Sequence, residues 1–421
     1  MKSTLLVGNA VIGQAGGPTA VINQTLVGVI EEVQKYGHIR HLLGAKHGVK
    51  GIVAEDFIDL KRQPKQMLES VACTPGSALG ATRDRPDREY CERIFKIFRK
   101  YDVRYFFYIG GNDSAEVAQI VNQVAQDAKY ELRVIHLPKT IDNDLLANDH
   151  CPGYGSAARF VAMAFMGDNQ DNRALPGVKV NILMGRDAGF ITAASILARM
   201  REDDGPHLVY VPEKPVSMDR LVEDVSAVHD KWGRCVVAVS EGIRDEEGEL
   251  WLERIRTQVK DGLGNKDAFG HSQLSGTGAL ADFIAESIKR KLGKKIARVR
   301  ADTYGYLQRS FPDIYSEVDA AEARLVGQMG VSYSLDADQG GSVALVRLPA
   351  TTYSVGTKLV PLEAVAPPKP PKFRILDAQY IANDGNNIND SFREYALPLV
   401  GHLPRVGWFE QIAIPPIEDV Q

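Results

Sequence analysis

Short apolar runs that stop abruptly at glycine or at clustered polar residues constrain the fold of this chain more than any other feature. Asn9-Ala10-Val11-Ile12, Tyr105-Phe106-Phe107-Tyr108-Ile109, Leu132-Arg133-Val134-Ile135-His136-Leu137, Val178-Lys179-Val180-Asn181-Ile182-Leu183 and Val236-Val237-Ala238-Val239 all have strand length. Runs this short and apolar suit strands buried on both faces, as in a parallel sheet covered by helices. Helical stripes follow two of them, at Val21, Ile22, Leu26, Ile30 and Val33 and again at Val117, Ile120, Val121 and Val124. Strand, loop and helix in that order predict an α/β chain. Open α/β sheets bind ligands at the C-terminal ends of their strands, so the loops there are the first places to look for function. At 421 residues the chain suits two or three domains.

Charge and cysteine content narrow the classes. A net charge of -4 gives no global attraction to nucleic acid or anionic lipid, so any basic site must be local. Cys73, Cys91, Cys151 and Cys235 form no CxxC pair and no zinc spacing, and are expected as idle thiols in a reducing cytosol. No leader-like apolar region and no membrane-length run is present, so a soluble cytoplasmic protein without membrane or nucleic-acid partners is expected.

The strand ending at Leu137 leads into Pro138-Lys139-Thr140-Ile141-Asp142-Asn143-Asp144. Asp142 can take a proton from an attacking hydroxyl, Asp144 can orient it or hold a metal, and Lys139 can neutralise a phosphate oxygen. The same residue types also make polar turns. Gly13-Gln14-Ala15-Gly16-Gly17-Pro18 follows the first strand, with backbone N–H groups ready for an anion, yet it lacks the Gly-Lys-Ser/Thr of a Walker A loop and reads equally as a tight turn. Thr74–Arg83 is a second small-residue loop. Arg83 is either a bidentate phosphate ligand or part of a charged face, and the second reading suits Arg85 and Arg88. Gly110-Gly111-Asn112-Asp113-Ser114 is the third: Asp113 or Ser114 can cap the next helix, or Asn112 and Asp113 can reach a metal-bound phosphate.

Taken together, Gly110–Ser114 and Pro138–Asp144 resemble the phosphofructokinase family. ATP-dependent members read GGDGS and PGTIDND at these places, and pyrophosphate-dependent members commonly read GGNDS or GGDDS and PKTIDND. This chain resembles the pyrophosphate type, with collinear motifs from about Gly13 to Arg347. The resemblance implies Asp142 as base for the 1-hydroxyl of fructose 6-phosphate and Asp144 as its support. Thr140 would contact the sugar or the transferred phosphoryl group, with Gly16, Gly17, Arg83, Gly111 and Asp113 on the donor. Asp113 stands where ATP users carry glycine and would repel a nucleotide α-phosphate, while Lys139 offers a compact cation to pyrophosphate. Asn112 stands where many members place an aspartate near magnesium. It ligates without charge, so Mg²⁺ would rest more on Asp113 and on pyrophosphate itself.

The remaining site residues also follow from the resemblance. Met184-Gly185-Arg186 matches the sugar motif, Glu241 the acidic residue that accepts from sugar hydroxyls, and Arg300–Arg309 the passage that holds the 6-phosphate. Tyr306 and Arg309 would take that phosphate, and Arg300 a site shared with a neighbouring subunit. Tyr306 replaces a histidine of bacterial ATP enzymes, and Gly177 replaces a cross-subunit arginine for which Lys179 is a candidate substitute. Ser156 is a candidate cap for the helix after the catalytic loop.

The charge runs at Asp245–Glu249 and Lys289–Lys295 read as solvated turns and helix ends, Gly262–Gly278 as a mobile loop, and the proline-rich 366–372 as a stiff tether. The whole is expected as α/β: two three-layer domains with mostly parallel sheets and the active site in the cleft between them. Residues 1–150 and 311–365 would bind the phosphate donor and 151–310 the sugar phosphate, with 366–421 returning over both. A homodimer or homotetramer is expected. The rival readings are an ATP-dependent sugar-phosphate kinase and a noncatalytic sugar-phosphate-binding regulator. An NAD-binding Rossmann protein fits less well, because no strand leads into GxGxxG with a ribose-binding acid beyond it.

Overall fold

The structure, a computed structural model, describes residues 6–84, 86–258, 278–336, 340–370, 372–410 and 412–413. Arg85 and most of the expected mobile loop lie outside the described residues. The strands are β1 (Gly8–Gln14), β2 (Ile39–Ala45), β3 (Phe57–Asp59), β4 (Val103–Gly110), β5 (Arg133–Pro138), β6 (Val178–Leu183), β7 (Leu208–Tyr210), β8 (Cys235–Ser240), β9 (Val299–Thr303), β10 (Gly341–Arg347) and β11 (Val355–Val360).

They form two sheets. A seven-stranded sheet has the order β11-β10-β5-β4-β1-β2-β3, and a four-stranded sheet has the order β7-β8-β6-β9. The smaller sheet is parallel throughout. In the larger one only the outer pairs β2–β3 and β10–β11 are antiparallel. This is the mostly parallel α/β architecture expected from the apolar runs.

Strand alternation explains the layers. In β4, Tyr105, Phe107 and Ile109 face a core shared with the helix Ile22–Gln34, while Phe106 and Tyr108 face a second core with the helices Arg88–Lys100 and Asn112–Asp127. Successive side chains point to opposite faces, so an uninterrupted aromatic run needs cover on both sides. The smaller sheet repeats the scheme. Val178, Val180 and Ile182 pack toward the helices Met218–Trp232 and Ala279–Leu292, and Leu183, Val236 and Ala238 pack toward the helix Tyr154–Ala174.

Two returns of the chain tie the sheets together. After the smaller sheet, the helix Glu317–Asp336 packs against Ile22–Gln34 at a glycine contact, where a Cβ on Gly28 would lie 2.2 Å from the Arg324 carbonyl oxygen. Later the helix Asp390–Val400 inserts Phe392, Tyr395 and Leu399 into the core around Tyr154–Ala174. Asp319 from the first return also caps that helix, accepting from the N–H groups of Gly153 and Ser156 at 2.8 Å each. Ser156 is therefore not the cap. Its hydroxyl donates to Asp319 at 2.6 Å.

The charge run at 245–249 also differs from expectation. Asp245 is buried, accepts from the N–H groups of Glu247 and Glu249, and pairs with Arg254, so the turn is organised from inside. No helix among the described residues is long and apolar enough to cross a membrane.

Candidate active site

The adjacent strands β1, β4 and β5 end side by side at Gln14, Gly110 and Pro138, and their loops bond to one another. Ala15 N–H donates to Ile109 O at 2.9 Å, Gly16 N–H to Thr82 O at 3.0 Å, and Lys139 N–H to Gly110 O at 2.9 Å. Together they enclose a cavity of about 230 Å³ lined by Gly16, Gly17, Arg83, Gly111, Asn112, Asp113, Lys139, Thr140, Asp142 and Asp144, with Ala15, Thr82, Asp84, Tyr108, Ser114 and Val117 completing the wall. The expected catalytic and donor residues thus meet in one place.

Close backbone approach is essential at Gly17. Its carbonyl accepts from Lys139 Nζ at 2.7 Å, and a Cβ there would lie 3.0 Å from the Arg309 guanidinium carbon. Burial, with the Arg309 charge next, pushes the Lys139 ammonium down to about 8. Lys139 keeps 4 % exposure, so a donor phosphate would meet a largely desolvated cation.

The two carboxylates are half-buried and open on the cavity, yet the protein around them removes most of their hydration. Desolvation raises Asp142, with Arg309 and Lys139 opposing. Desolvation and then the Asp142 charge push Asp144 up to about 7. Asp142 N–H donates to Thr140 Oγ1 at 3.1 Å, which closes the turn between them. Asn112 Nδ2 donates to Asp144 Oδ2 at 2.8 Å, while Asn112 Oδ1, Asp142 Oδ1 and Asp144 Oδ1 are buried with no hydrogen-bond partner. Buried oxygens without donors are unusual, and three in one cavity make a polar pocket suited to a cation or a donor group. Neither Asp113 nor Ser114 caps the helix Asn112–Asp127. Gly111 takes the cap position, and no side chain bonds there.

Beneath the glycine loop lies a residue to which the sequence pointed only as part of a strand. His136 is fully buried, donates from Nε2 to Gly110 O at 3.0 Å and accepts at Nδ1 from the Ser342 hydroxyl at 2.8 Å. Burial pushes its imidazole down to about 4, so it is a neutral prop. Its partner is 206 positions away, and no local signal could have announced the pair.

Apart from Thr140, the residues expected on the sugar phosphate lie outside this cavity, on the smaller sheet or in the segments that follow its strands. Met184, Gly185 and Arg186 follow β6. Ser240 Oγ donates to Gly185 O at 2.6 Å, and Glu241 N–H to Leu183 O at 2.8 Å, so the loops after β6 and β8 are knitted together. Glu241 is buried and Arg186 half-buried. Asp187, which pairs with Arg244 at 3.4 Å, is close enough that its charge raises both Asp142 and Asp144. Sequence reasoning assigned Asp187 no role.

Arg309 lies over the Tyr306 ring, 4.7 Å to the centroid, and reaches the donor loop at Gly17. Arg300 is exposed on β9, at the open edge of the smaller sheet. Lys179 pairs with Asp302 and lies 3.8 Å from Asp168. Arg88 forms the expected surface pairs with Glu92 and Asp127.

Comparison with known proteins bears on this arrangement. The family model described as Phosphofructokinase matches residues 9–329. The pyrophosphate–fructose 6-phosphate 1-phosphotransferase of Rhodospirillum rubrum is 50% identical over 394 residues, covering 94% of each chain. That of Xanthomonas campestris pv. campestris is 35% identical over 407 residues, covering 94% of this chain and 93% of the relative. The crystal structure of the pyrophosphate-dependent phosphofructokinase from Marinobacter aquaeolei superposes with a TM-score of 0.81 at 30% identity, covering 96% of this chain and 94% of the other.

Proposed function

This chain belongs to the phosphofructokinase family, and on that premise we propose that it catalyses reversible phosphoryl transfer from pyrophosphate to the 1-hydroxyl of fructose 6-phosphate. The products are fructose 1,6-bisphosphate and phosphate. The observation that carries the choice of donor is the shared cavity: Lys139, buried against Gly17, and Asp113 line the same small space as Arg83 and the catalytic carboxylates. A desolvated cation there favours a compact polyanion, and the Asp113 carboxylate disfavours the extra phosphate and nucleoside of ATP.

In this reading Asp142 takes the proton of the 1-hydroxyl as its oxygen attacks the terminal phosphorus of pyrophosphate. Phosphate departs, and Lys139 and Arg83 neutralise its charge. Thr140 steadies the reacting end and Asp144 restrains the base. Met184, Gly185, Arg186 and Glu241 hold the sugar, and Tyr306 and Arg309 its 6-phosphate. Exposed Arg300 is assigned to a site shared between copies in a homodimer or homotetramer. Residues 1–150 with 311–365 form the donor lobe in this proposal and 151–310 the sugar lobe, and the enzyme works in the cytoplasm.

Enzymes of this family typically use a divalent metal. The orphaned oxygens of Asn112 and Asp144, with Asp113 beside them, are hard donors that fit Mg²⁺. Among the described residues no cluster of three or more His, Cys, Asp or Glu could hold a metal ion. When bound, Mg²⁺ supplies charge neutralisation on the transferring group.

The test is an aldolase-coupled assay with each donor. Turnover with pyrophosphate and little with ATP is expected, and Lys139→Gly with Asp113→Gly should move the preference toward ATP. Equal or better turnover with ATP in the unaltered enzyme would overturn the donor assignment, and none with either donor would overturn the kinase reading.

A further inference from the structure

The family match ends at residue 329, yet later residues reach the catalytic loop. Arg374 N–H donates to the Asp144 carbonyl oxygen at 2.7 Å. Two residues on, Leu376 N–H donates to Glu213 Oε1 at 2.8 Å, and the same oxygen accepts from Gly189 N–H at 2.8 Å. One extended stretch is thereby fastened to the catalytic loop at one end and to the end of the sugar-side loop at the other.

The helix Asp390–Val400 adds a second fastening. Tyr395 Oη accepts from Asn143 Nδ2 at 2.8 Å and donates to the Asp149 carbonyl oxygen at 2.8 Å. Asn143 stands between Asp142 and Asp144, is fully buried, and holds φ at 59° in the left-handed region. Asparagine tolerates that conformation better than most residues but still needs restraint. The Asn143 amide supplies it from both ends, because its Oδ1 accepts from Cys151 N–H at 3.0 Å. Tyr395 has 8 % exposure, and its ring packs under the guanidinium groups of Arg347 at 4.9 Å and Arg374 at 5.7 Å.

We infer that Tyr395 is a positioning residue for the transfer reaction, fixing the two carboxylates through Asn143, and that Arg374, Leu376 and the helix Asp390–Val400 are part of the catalytic apparatus. Asp142 and Asp144 repel each other in a poorly hydrated cavity, so the peptide between them relaxes apart unless it is held. Misplacement of a reacting group by about 1 Å costs on the order of 100-fold in rate. Neither Tyr395 nor Asn143 lines the donor cavity, so the loss is expected in kcat rather than in substrate affinity. The inference rests on the reading of Asp142 as the base.

The test uses the full-length enzyme with Tyr395→Phe, Asn143→Gly and the double variant, alongside Asp142→Ser. Glycine keeps the left-handed backbone without strain, so Asn143→Gly isolates the amide. Each single variant should lower kcat about tenfold, leave both KM values within about twofold, and melt as a folded protein. The double variant should be faster than the product of the two single losses predicts, because the Tyr395–Asn143 bond is counted in both singles. Unchanged kcat in Tyr395→Phe, losses that multiply in the double, or a fall in kcat matched by a rise in both KM values would overturn the inference. Normal turnover in Asp142→Ser would instead sink the base assignment, whatever Tyr395 does.

Discussion

The two banks of the cleft are built on the same kind of parallel strand ends but differ in closure. On the donor bank, loops from three neighbouring strands bond to one another, Lys139 is bound to Gly17, and His136 props the glycine loop from below. The sugar bank sits on a four-stranded sheet whose β9 edge is open. Arg300 is exposed there, and Tyr306, Leu307 and Phe311 show 46, 62 and 38 % of their surface. Under the proposed function, the preorganised bank is the one expected to set the rate of phosphoryl transfer, and the bank with groups in water to tune affinity.

That contrast predicts a graded set of losses. Asp142→Ser should reduce kcat by roughly 100- to 10,000-fold with little change in either KM, as steady-state kinetics would show. A variant within about tenfold of normal would mean the donor bank does not hold the base. The pH dependence should be the next largest effect. Asp142 and Asp144 are both raised, Asp144 to about 7, so the pair gains a proton and kcat/KM falls as pH drops below that region. Lys139 is lowered to about 8 and loses its charge above it, so kcat/KM for pyrophosphate falls again on the alkaline side. In kcat, measured with donor bound, the acid limb should persist while the alkaline limb moves upward, because the polyanion favours the ammonium form. A profile flat from about pH 6 to 9 would contradict the electrostatics of the cavity.

The smallest effect belongs to the open edge. Arg300→Ala should raise KM for fructose 6-phosphate by less than about tenfold and leave kcat unchanged, as befits an exposed charge. A loss in kcat comparable to that of Asp142→Ser would erase the distinction between the banks and place Arg300 in the chemistry.

Much of the fold was legible because its strands are short, apolar and bounded by glycine. Tyr105–Ile109 needs cover on both faces, and that alone implies three layers. Most residues lining the cavity were legible for a related reason: the loops after β1, β4 and β5 follow directly from their strands, so sequence neighbours stay neighbours there, whereas Arg83 comes in from a stretch between two helices. Partnerships across the chain were not legible. Ser156 has the chemistry of a cap, but Asp319, 163 positions away, does the capping. Asp245 looked like one member of a solvated run and is buried, because Arg254 and two backbone N–H groups compensate its charge. The proline-rich stretch read as a tether to a segment returning over the domains, but the partners of Arg374 and Leu376 just beyond it, the Asp144 carbonyl and Glu213, could not be named from the sequence.

By itself, then, the sequence determined the α/β layers, the loops that line the cavity and the presence of Lys139, Asp142 and Asp144 on one of them, since these follow from side-chain periodicity and from contiguity along the chain. Only the tertiary structure decided how those groups behave. Lys139 is lowered and Asp144 raised because segments distant in sequence close over them and remove water, and Asp142 lies beside a residue held by Tyr395 because a late helix packs back into the core. Desolvation and through-space charge depend on distances between remote segments, and those distances exist only once the chain has folded.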